Sequence, residues 1–352
     1  MGNSTKISKS QADKAGKVLR KEESTIEEQN KALVTLGKWR EMHNYPLVSI
    51  RNRLEKRAYK LDKRVIVAQR LKRASSIIKK LNRPYNNSKP TMTLSQMQDI
   101  AGCRAIFPLN ETVQKFFYQK LFEKNMRHKS VRYRDYISNP KEDGYRSIHC
   151  IYEFRGSSNK QQYNGLFVEI QLRSKLQHIW ATAVETIDLF TGQAIKSNKG
   201  EKEWMKFFVL VSSLFAQIEK TPLVPNTPRD VNELKKRIRL LEKELDVSNK
   251  MKGWAESIRI FEDIKTSQRE VEYFLLELDT KLNKLTITGY PKNQKETALA
   301  EYSNAEKRIY ADPKYDVVLV GVDKIKDLKR AYPNYYMDSK EFLKKLNSLL
   351  ND

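Results

Sequence analysis

FVEIQLR, residues 167–173, is the stretch of this chain that decides the fold. Its apolar and polar side chains alternate, so that Val168, Ile170 and Leu172 fall on one face, and Glu169, Gln171 and Arg173 on the other. A two-residue period predicts a strand with one buried face. The polar face is a candidate site, because a carboxylate, an amide and a guanidinium can hold a metal ion, orient a hydroxyl and bind phosphate. An exposed edge strand without a function has the same pattern.

Two further strand-like runs surround this one. They are CRAIF at residues 103–107 and SIHCIYEF at residues 147–154, and helical patterns separate the three. Charged, helical segments precede them up to about residue 83. This alternation predicts an α+β fold in which a mixed central sheet is flanked by helices.

RLKRASSIIKKL, residues 70–81, reads as one amphipathic helix. Its apolar residues cluster on one side, and Lys72, Ser76 and Lys80 form a stripe on the opposite side. That stripe could hold a triphosphate, although a solvated lysine face has the same spacing. Helical periodicity gives no role to Arg70, which lies off the stripe.

Residues 132–149, RYRDYISNPKEDGYRSIH, combine cations, aromatic rings and turn residues. Four cations can neutralise phosphates, and three rings offer faces for a base; they are Arg132, Arg134, Lys141 and Arg146, and Tyr133, Tyr136 and Tyr145. The segment therefore favours nucleotide chemistry. A solvated basic loop is the alternative, because Asn-Pro and Asp-Gly are common turn dipeptides.

QDIAGCRAIF, residues 98–107, adds two charged candidates. Asp99 precedes the strand, and Arg104 is the only charged residue within it. From the residues alone, an Asp before a strand is more often a turn or cap residue than a metal ligand.

Composition and charge narrow the class of protein. The chain has 352 residues and a net charge of +24, and residues 51–90 hold 14 basic but only 2 acidic side chains. Such density attracts polyanions such as RNA or polyphosphate. The chain contains no apolar run of membrane-spanning length and no secretory signal pattern, so we expect a cytoplasmic protein without a membrane partner.

The two cysteines, Cys103 and Cys150, are expected to be buried thiols. The sequence contains no P-loop motif.

Prolines divide the chain near residue 225. Residues 221–229, TPLVPNTPR, predict an extended spacer between a domain at 51–220 and one at 230–352, and residues 1–50 form an N-terminal helical segment. Beyond the spacer the periodicity predicts a helical hairpin, with its second helix from about Ile258 to Leu285. A small α/β portion follows, with a strand at 315–322 and a last helix whose start is marked by Asp338 and Glu341.

Taken together, these segments resemble the synthetase domain of the RelA/SpoT alarmone family over about residues 50–215. The matching pieces are Arg70-x-Lys72 with Ser76 and Lys80, Asp99-x-x-Gly102-x-Arg104, Arg132-x-Arg134-Asp135-Tyr136-Ile137, Pro140-Lys141 with Gly144-Tyr145-Arg146-Ser147-x-His149, and Glu169-x-Gln171-x-Arg173. The resemblance implies a nucleotidyltransferase-like fold and transfer of pyrophosphate from ATP to a ribose 3′-hydroxyl. Arg134 departs from the family form that it most resembles, which has Lys at this position.

The resemblance also implies roles for individual residues. Arg70 and Arg104 would sandwich adenine, while Lys72, Ser76 and Lys80 would hold the ATP phosphates. Asp99 and Glu169 would bind Mg²⁺, and Glu169 would also activate the attacking oxygen. Gln171 and Arg173 complete the catalytic set. The acceptor would be bound by Tyr145, His149, Lys141, Arg132 and Arg134.

The C-terminal part resembles the antitoxin domain of fused toxin-antitoxin members of the family, often called CapRel. Tyr332-Pro-Asn-Tyr335 matches the element by which that domain is thought to occupy the ATP site. This resemblance implies a toxin that pyrophosphorylates the 3′ CCA end of tRNA, is autoinhibited in cis and is released by a phage protein. Two alternatives remain open: an alarmone synthetase with GDP or GTP as acceptor, and a non-catalytic RNA-binding regulator.

Overall fold

The computed structural model describes residues 6–20, 24–72, 74–84, 90–194, 200–255, 271–279, 282, 284–311, 315–321 and 335–351. The chain divides into two compact units. The first contains Met1–Tyr136 and Ser147–Lys175, and the second contains Ile137–Arg146 and Leu176–Asp352. Among the described residues, none of the helices combines the length and the apolar composition needed to span a bilayer.

Three helices open the first unit: α1 (Lys9–Val18), α2 (Ile26–Met42) and α3 (Asn44–Leu61). Capping boxes start the first two. The Ser8 hydroxyl accepts a hydrogen bond from the Gln11 backbone, whose side chain accepts one from the Ser8 backbone, and Thr25 and Glu28 repeat the arrangement. These helices lie in the predicted N-terminal helical segment, but α3 continues beyond residue 50, where that segment was expected to end.

A five-stranded mixed sheet forms the centre of this unit, as predicted. Its strands are β1 (Ile66–Leu71), β2 (Ala101–Phe107), β3 (Lys129–Asp135), β4 (Ile148–Glu153) and β5 (Phe167–Ser174). The order is β1-β2-β5-β4-β3, and only the β2–β5 pair is parallel. Two short helices, α4 (Ala74–Leu81) and α5 (Asn110–Tyr118), connect the strands.

The predicted helix over residues 70–81 is wrong at its N-terminal end. Arg70 and Leu71 belong to β1, and the helix begins at Ala74. β1 lies at the edge of the sheet, where its mostly exposed or half-buried side chains show no clean alternation. Pairing with β2, rather than local propensity, makes these residues a strand.

The two cysteines face away from Glu169 and Arg104. Both thiols are buried, as predicted. Burial raises the pKa of the Cys103 thiol far above its ordinary value, and it raises the pKa of the Cys150 thiol to about 12. Both are therefore protonated, weakly reactive members of the core.

The second unit begins with α6 (Lys175–Ala194) and α7 (Gly200–Ile218), and continues with α8 (Val231–Leu245) and a helical stretch over residues 247–255. A three-stranded antiparallel sheet follows, with β6 (Val271–Asp279) between β7 (Lys284–Pro291) and β8 (Tyr315–Gly321). Helix α9 (Lys295–Ala311) lies between β7 and β8 in sequence, and α10 (Tyr335–Asn351) ends the unit.

The Pro-rich segment lies inside the second unit rather than between the two units. The Ser213 hydroxyl on α7 accepts a hydrogen bond from the Val224 backbone at 3.0 Å and lies 2.8 Å from the Thr227 hydroxyl. α7 also packs on α8, so the helices on both sides of the segment share one core. The two compact units therefore do not separate at residues 221–229, where the sequence predicts a spacer between domains.

Two predictions for the C-terminal part are wrong. The expected second helix of the hairpin, Ile258–Leu285, is replaced from Val271 onwards by β6 and the start of β7, and residues 256–270 lie outside the described residues. The last helix begins at Tyr335, so Asp338 is buried in its first turn instead of capping it. The strand predicted at 315–322 is present as β8.

His43, between α2 and α3, makes stability depend on pH. It is buried, and its Nδ1 lies 2.8 Å from the Trp39 carbonyl oxygen. Burial lowers the pKa of His43 to about 4, against the opposing effect of this backbone hydrogen bond. Between pH 6.5 and pH 4 the unfolded chain therefore binds a proton that the folded chain does not, so acidification reduces stability.

We expect this residue to lower the free energy of unfolding by about 2 kcal/mol between pH 7.5 and pH 5. Urea denaturation at both pH values measures the difference. His43→Gln should flatten this part of the pH profile, whatever its effect on stability at pH 7.5. An unchanged slope in the variant would contradict the assignment to His43.

Candidate active site

The pairing of β2, β5 and β4 places polar residues of all three strands on one face of the central sheet. In β2 and β5, Gly102 lies opposite Glu169, and Arg104 lies opposite Gln171. In β4, His149 lies opposite Gln171 on the other side. Directly opposed residues point to the same face, so these side chains share one surface. The opposite face carries the buried apolar residues of the same strands.

Glu169 lies at the centre of this face and accepts two hydrogen bonds. Its Oε1 is 2.9 Å from Nδ1 of His149, and its Oε2 is 2.9 Å from Nε2 of Gln171. Burial favours the neutral carboxyl, but the hydrogen bond and charge of His149 outweigh it, and the pKa of Glu169 is held below its ordinary value. Glu169 is therefore a carboxylate at neutral pH, held in place by two neighbours.

Asp99 lies just before β2, and a lysine contacts each of its oxygens. Nζ of Lys72 is 2.9 Å from Oδ2, and Nζ of Lys80 is 2.9 Å from Oδ1. Burial opposes ionisation, but the two ammonium groups prevail and keep the pKa of Asp99 below its ordinary value. Lys72 is positioned by its backbone, whose N–H donates to the Ile100 carbonyl at 2.7 Å. The predicted lysine stripe thus converges on Asp99, although Lys72 lies outside the helix. Ser76, the third member of the stripe, is half-buried on α4.

The two arginines proposed to bind adenine lie on adjacent strands. Arg104 is buried, and its Nε donates to Oε1 of Gln171 at 3.2 Å, which connects it to Glu169 through one amide. Arg70 is exposed on β1, opposite Gly102. Among the described residues, a methyl group at Gly102 would meet the Arg70 and Glu169 carbonyl oxygens alone, both at 4.0 Å. The surface beside the two arginines is therefore open.

The remaining predicted residues occupy different environments. Arg132 and Arg134 are exposed on the edge strand β3; Arg134 lies opposite His149, and its guanidinium donates to the Tyr136 hydroxyl at 3.2 Å. Arg173 is only 2% exposed, so its guanidinium lies within the protein. The ring of Tyr136 contacts that of His149 edge-on, with centroids 5.3 Å apart.

Lys141 and Tyr145 lie in the second unit, within one turn. Nζ of Lys141 is 5.0 Å from the centroid of the Tyr145 ring, and the Tyr145 backbone donates to Oδ1 of Asp143 at 2.9 Å. Gly144 has φ of +87°, and a methyl group there would lie 3.0 Å from the Trp180 ring. Glycine is thus required in this motif by backbone conformation and by close packing.

Asp99 and Glu169 are the residues that could hold a metal ion. Mg²⁺ is commonly bound by one or two carboxylates, with water and phosphate oxygens in its other positions. The negative charge of Asp99 raises the pKa of Glu169 against the larger lowering effect of His149. A divalent cation would offset that negative charge, and the residues therefore fit Mg²⁺.

Comparisons with known proteins place this site in a family. A family model described as "Region found in RelA / SpoT proteins" matches residues 69–187. Two curated proteins of Bacillus subtilis (strain 168) are similar to this chain. GTP pyrophosphokinase YjbM is 33% identical over 128 residues, which cover 35% of this chain and 55% of that protein. GTP pyrophosphokinase YwaC is 31% identical over 114 residues, which cover 32% and 52%. The chain thus spans about half the length of the curated relatives it matches.

Solved structures were compared as well. Small alarmone synthetase 1 from Bacillus subtilis, bound to its product pppGpp, is 23% identical with a TM-score of 0.42, and the match covers 51% of this chain and 90% of that one. A GTP pyrophosphokinase family protein from Streptococcus pneumoniae is 21% identical with a TM-score of 0.42, covering 53% and 89%.

The segment matched by the family model runs from β1 into α6 and includes Asp99, Arg104 and Glu169. Both sequence relatives are named GTP pyrophosphokinases. Residues 69–187 of this chain form a RelA/SpoT-type domain.

Proposed function

We propose that this domain is an ATP-dependent pyrophosphokinase that transfers the β,γ-diphosphate of ATP to the 3′-hydroxyl of a guanosine nucleotide and releases AMP. The observation that carries the proposal is the position of Glu169. This carboxylate is ionised and is fixed by His149 and Gln171. It responds to the charge of a second carboxylate, Asp99, whose two lysine partners can bind phosphate. Diphosphate transfer needs this combination of an oriented acceptor and neutralised phosphate charge.

The ATP side of the reaction would use the cationic residues at the β1 and β2 edge of the sheet. Lys72 and Lys80 would exchange part of their contact with Asp99 for phosphate oxygens. The planar guanidinium groups of Arg70 and Arg104 suit stacking on adenine, and the open surface at Gly102 leaves space for the base. Mg²⁺ held by Asp99 and Glu169 would supply charge neutralisation at the diphosphate.

Glu169 would orient the attacking hydroxyl rather than act alone as a strong base. Its pKa lies below the ordinary range, so it holds a proton poorly, but its oxygens accept hydrogen bonds well. His149 contacts Glu169 directly and can share the proton that leaves the 3′-hydroxyl. Gln171 connects the carboxylate to Arg104 and keeps both side chains in place.

A labelled-transfer assay tests the proposal. The full chain is incubated with Mg²⁺ and ATP labelled at the γ-phosphate, with GDP, GTP or deacylated tRNA supplied separately as acceptor. We expect label on the guanosine nucleotide. Label on none of the acceptors, from folded protein, would overturn the proposal.

The tRNA acceptor end is the second candidate, and the charge of the chain favours it. The 14 basic side chains against 2 acidic ones in residues 51–90 exceed what a nucleotide pocket needs, and they would attract a polynucleotide. Label on the tRNA alone, in the same assay, would select this acceptor. Autoinhibition by Tyr332 and Tyr335 stays a prediction: Tyr332 lies outside the described residues, and Tyr335 is the first residue of α10.

A further inference from the structure

A cavity of about 630 Å³ in the first unit lies away from the Glu169 face of the sheet. Its walls are the beginning of α3, the segment before β3 and the segment after β4. Arg53 of α3 lies 5.7 Å from the ring of Phe122, which packs against Tyr152. Tyr152 lies opposite Val168 in the register, and both belong to the buried face. The cavity is therefore separate from the candidate active site.

Positive charge dominates the wall of this cavity. Four of its twelve lining residues are cationic, and none is acidic; the cations are Arg53, Arg127, Arg155 and Lys160. Glu153 contacts one of these cations: its Oε1 is 3.9 Å from Nε of Arg155, at the limit of an ion pair. A concave surface with this excess of cations is suited to an anion.

Hydrogen bonds within the protein hold the Arg53 side chain in position. Its Nε donates to the Phe122 carbonyl at 3.1 Å, and its terminal nitrogen donates to the Lys124 carbonyl. Arg57, one turn further along α3, donates to the same Lys124 carbonyl at 2.8 Å. Because these contacts use neutral carbonyls, the charge of Arg53 is not cancelled. A preorganised cation loses less conformational freedom when it binds an anion.

The aromatic residues of the cavity pack on one another. Tyr45 stacks on Tyr163 with centroids 4.8 Å apart, and Nζ of Lys160 lies 4.9 Å from the Tyr45 ring. Phe154 stacks on His128 at 4.7 Å. These rings form a wall whose stacking contacts are already made within the protein. Recognition by phosphate charge is therefore favoured over recognition by base stacking.

The positive charges of the cavity wall affect the protonation of His128. Its Nδ1 accepts a hydrogen bond from the Arg155 backbone at 3.2 Å, so in the neutral ring Nε2 carries the hydrogen. Burial lowers the pKa of His128 to about 4, with further lowering by the charges of Arg53 and Arg127. An anion in the cavity would offset those charges and favour the protonated ring.

We propose that this cavity is a second binding site, which takes the polyphosphate group of a free nucleotide or of another small molecule. Its volume of about 630 Å³ is that of a small-molecule site. The assignment does not rest on the proposed transfer reaction, because it uses none of the residues of the Glu169 face.

Histidine NMR spectra test the proposal on the full chain. The protein has four histidines, so the ring signals can be resolved, and His128→Gln assigns the one of interest. Without ligand, His128 should stay largely neutral between pH 8 and pH 5. With saturating sodium tripolyphosphate, its pKa should rise by at least one unit. GTP should have the same effect and guanosine should have none, which separates phosphate recognition from base recognition.

Two variants and one internal reporter control the experiment. Arg127→Ala should weaken the response of His128 to tripolyphosphate by about tenfold in apparent affinity, since it removes one direct charge. Lys129→Ala, an exposed cation two residues away that does not line the cavity, should change it by less than twofold. His149 reports binding at the Glu169 site separately, so failure of one site does not conceal the other.

The outcomes decide the assignment. A His128 signal that does not respond to tripolyphosphate or GTP, while His149 responds, would overturn the second site. A response to a short RNA oligonucleotide but not to tripolyphosphate would replace the small-molecule ligand by a nucleic acid. Equal responses in Arg127→Ala and Lys129→Ala would reduce the effect to general charge screening and would also refute the site.

Discussion

Glu169→Gln is expected to lower kcat for diphosphate transfer by about 10³-fold or more, with little loss of stability. The substitution keeps the shape of the side chain but removes the charge that would hold Mg²⁺. It also disturbs the hydrogen bonds, because both neighbours of Glu169 can donate to it, His149 at 2.9 Å and Gln171 at 2.9 Å. An amide offers only one acceptor oxygen, so one donor would face its NH₂ group.

Transfer of label from γ-labelled ATP measures the effect, with Glu153→Gln as the matched control. Glu153 lies on the neighbouring strand β4, where its carboxylate contacts Arg155 rather than Glu169. The control should retain activity within about twofold, and both variants should unfold within about 1 kcal/mol of the parent protein. Full activity of Glu169→Gln would refute the assigned role and support a reaction centre elsewhere.

Asp338→Ala should destabilise the second unit by about 3 kcal/mol. Asp338 lies in the first turn of α10 and is 2% exposed, and its Oδ2 is 3.1 Å from Nε2 of the buried His178 on α6. One turn further along α10, Phe342 packs against Phe208 and Phe215. Removing the carboxylate would leave the imidazole buried without this partner, in a region from which water is excluded.

Urea denaturation measures this loss, and two further variants control it. Asp338→Asn keeps an acceptor oxygen and should recover part of the stability. Lys344→Ala changes an exposed residue of the same helix and should cost less than about 0.5 kcal/mol. If Asp338→Ala unfolds at the same urea concentration as Lys344→Ala, the pair with His178 contributes no net stability.

β5 could be predicted because buried and half-buried positions alternate from Phe167 to Leu172. β2 and β8 could be predicted as short apolar runs. β1 and β6 could not be predicted, for opposite reasons. β1 is a polar edge strand, whereas β6 is the central strand of its sheet and contains the buried run Phe274, Leu275 and Leu276. A continuous apolar run lacks the two-residue period and can be read as a helix.

The site could be predicted as a set of residues but not as a set of contacts. The pattern of β5 predicts that Glu169 and Gln171 share a face. It does not predict that His149, twenty positions earlier, hydrogen-bonds Glu169, because that contact depends on the register between β4 and β5. The contacts of Lys72 and Lys80 could not be predicted either. The sequence places both on one helix, but Lys72 reaches Asp99 from the end of β1 and Lys80 reaches it from α4.

The two buried thiols allow the opening of the central sheet to be measured with a simple chemical probe. Cys103 on β2 and Cys150 on β4 are the only cysteines of the chain, and both side chains are covered in the folded protein. Thiol-reactive dyes can modify them only in molecules whose strands have separated. The rate of labelling therefore reports the opening of this sheet in unmodified protein, and its slowing by an added ligand would measure the binding free energy without an activity assay.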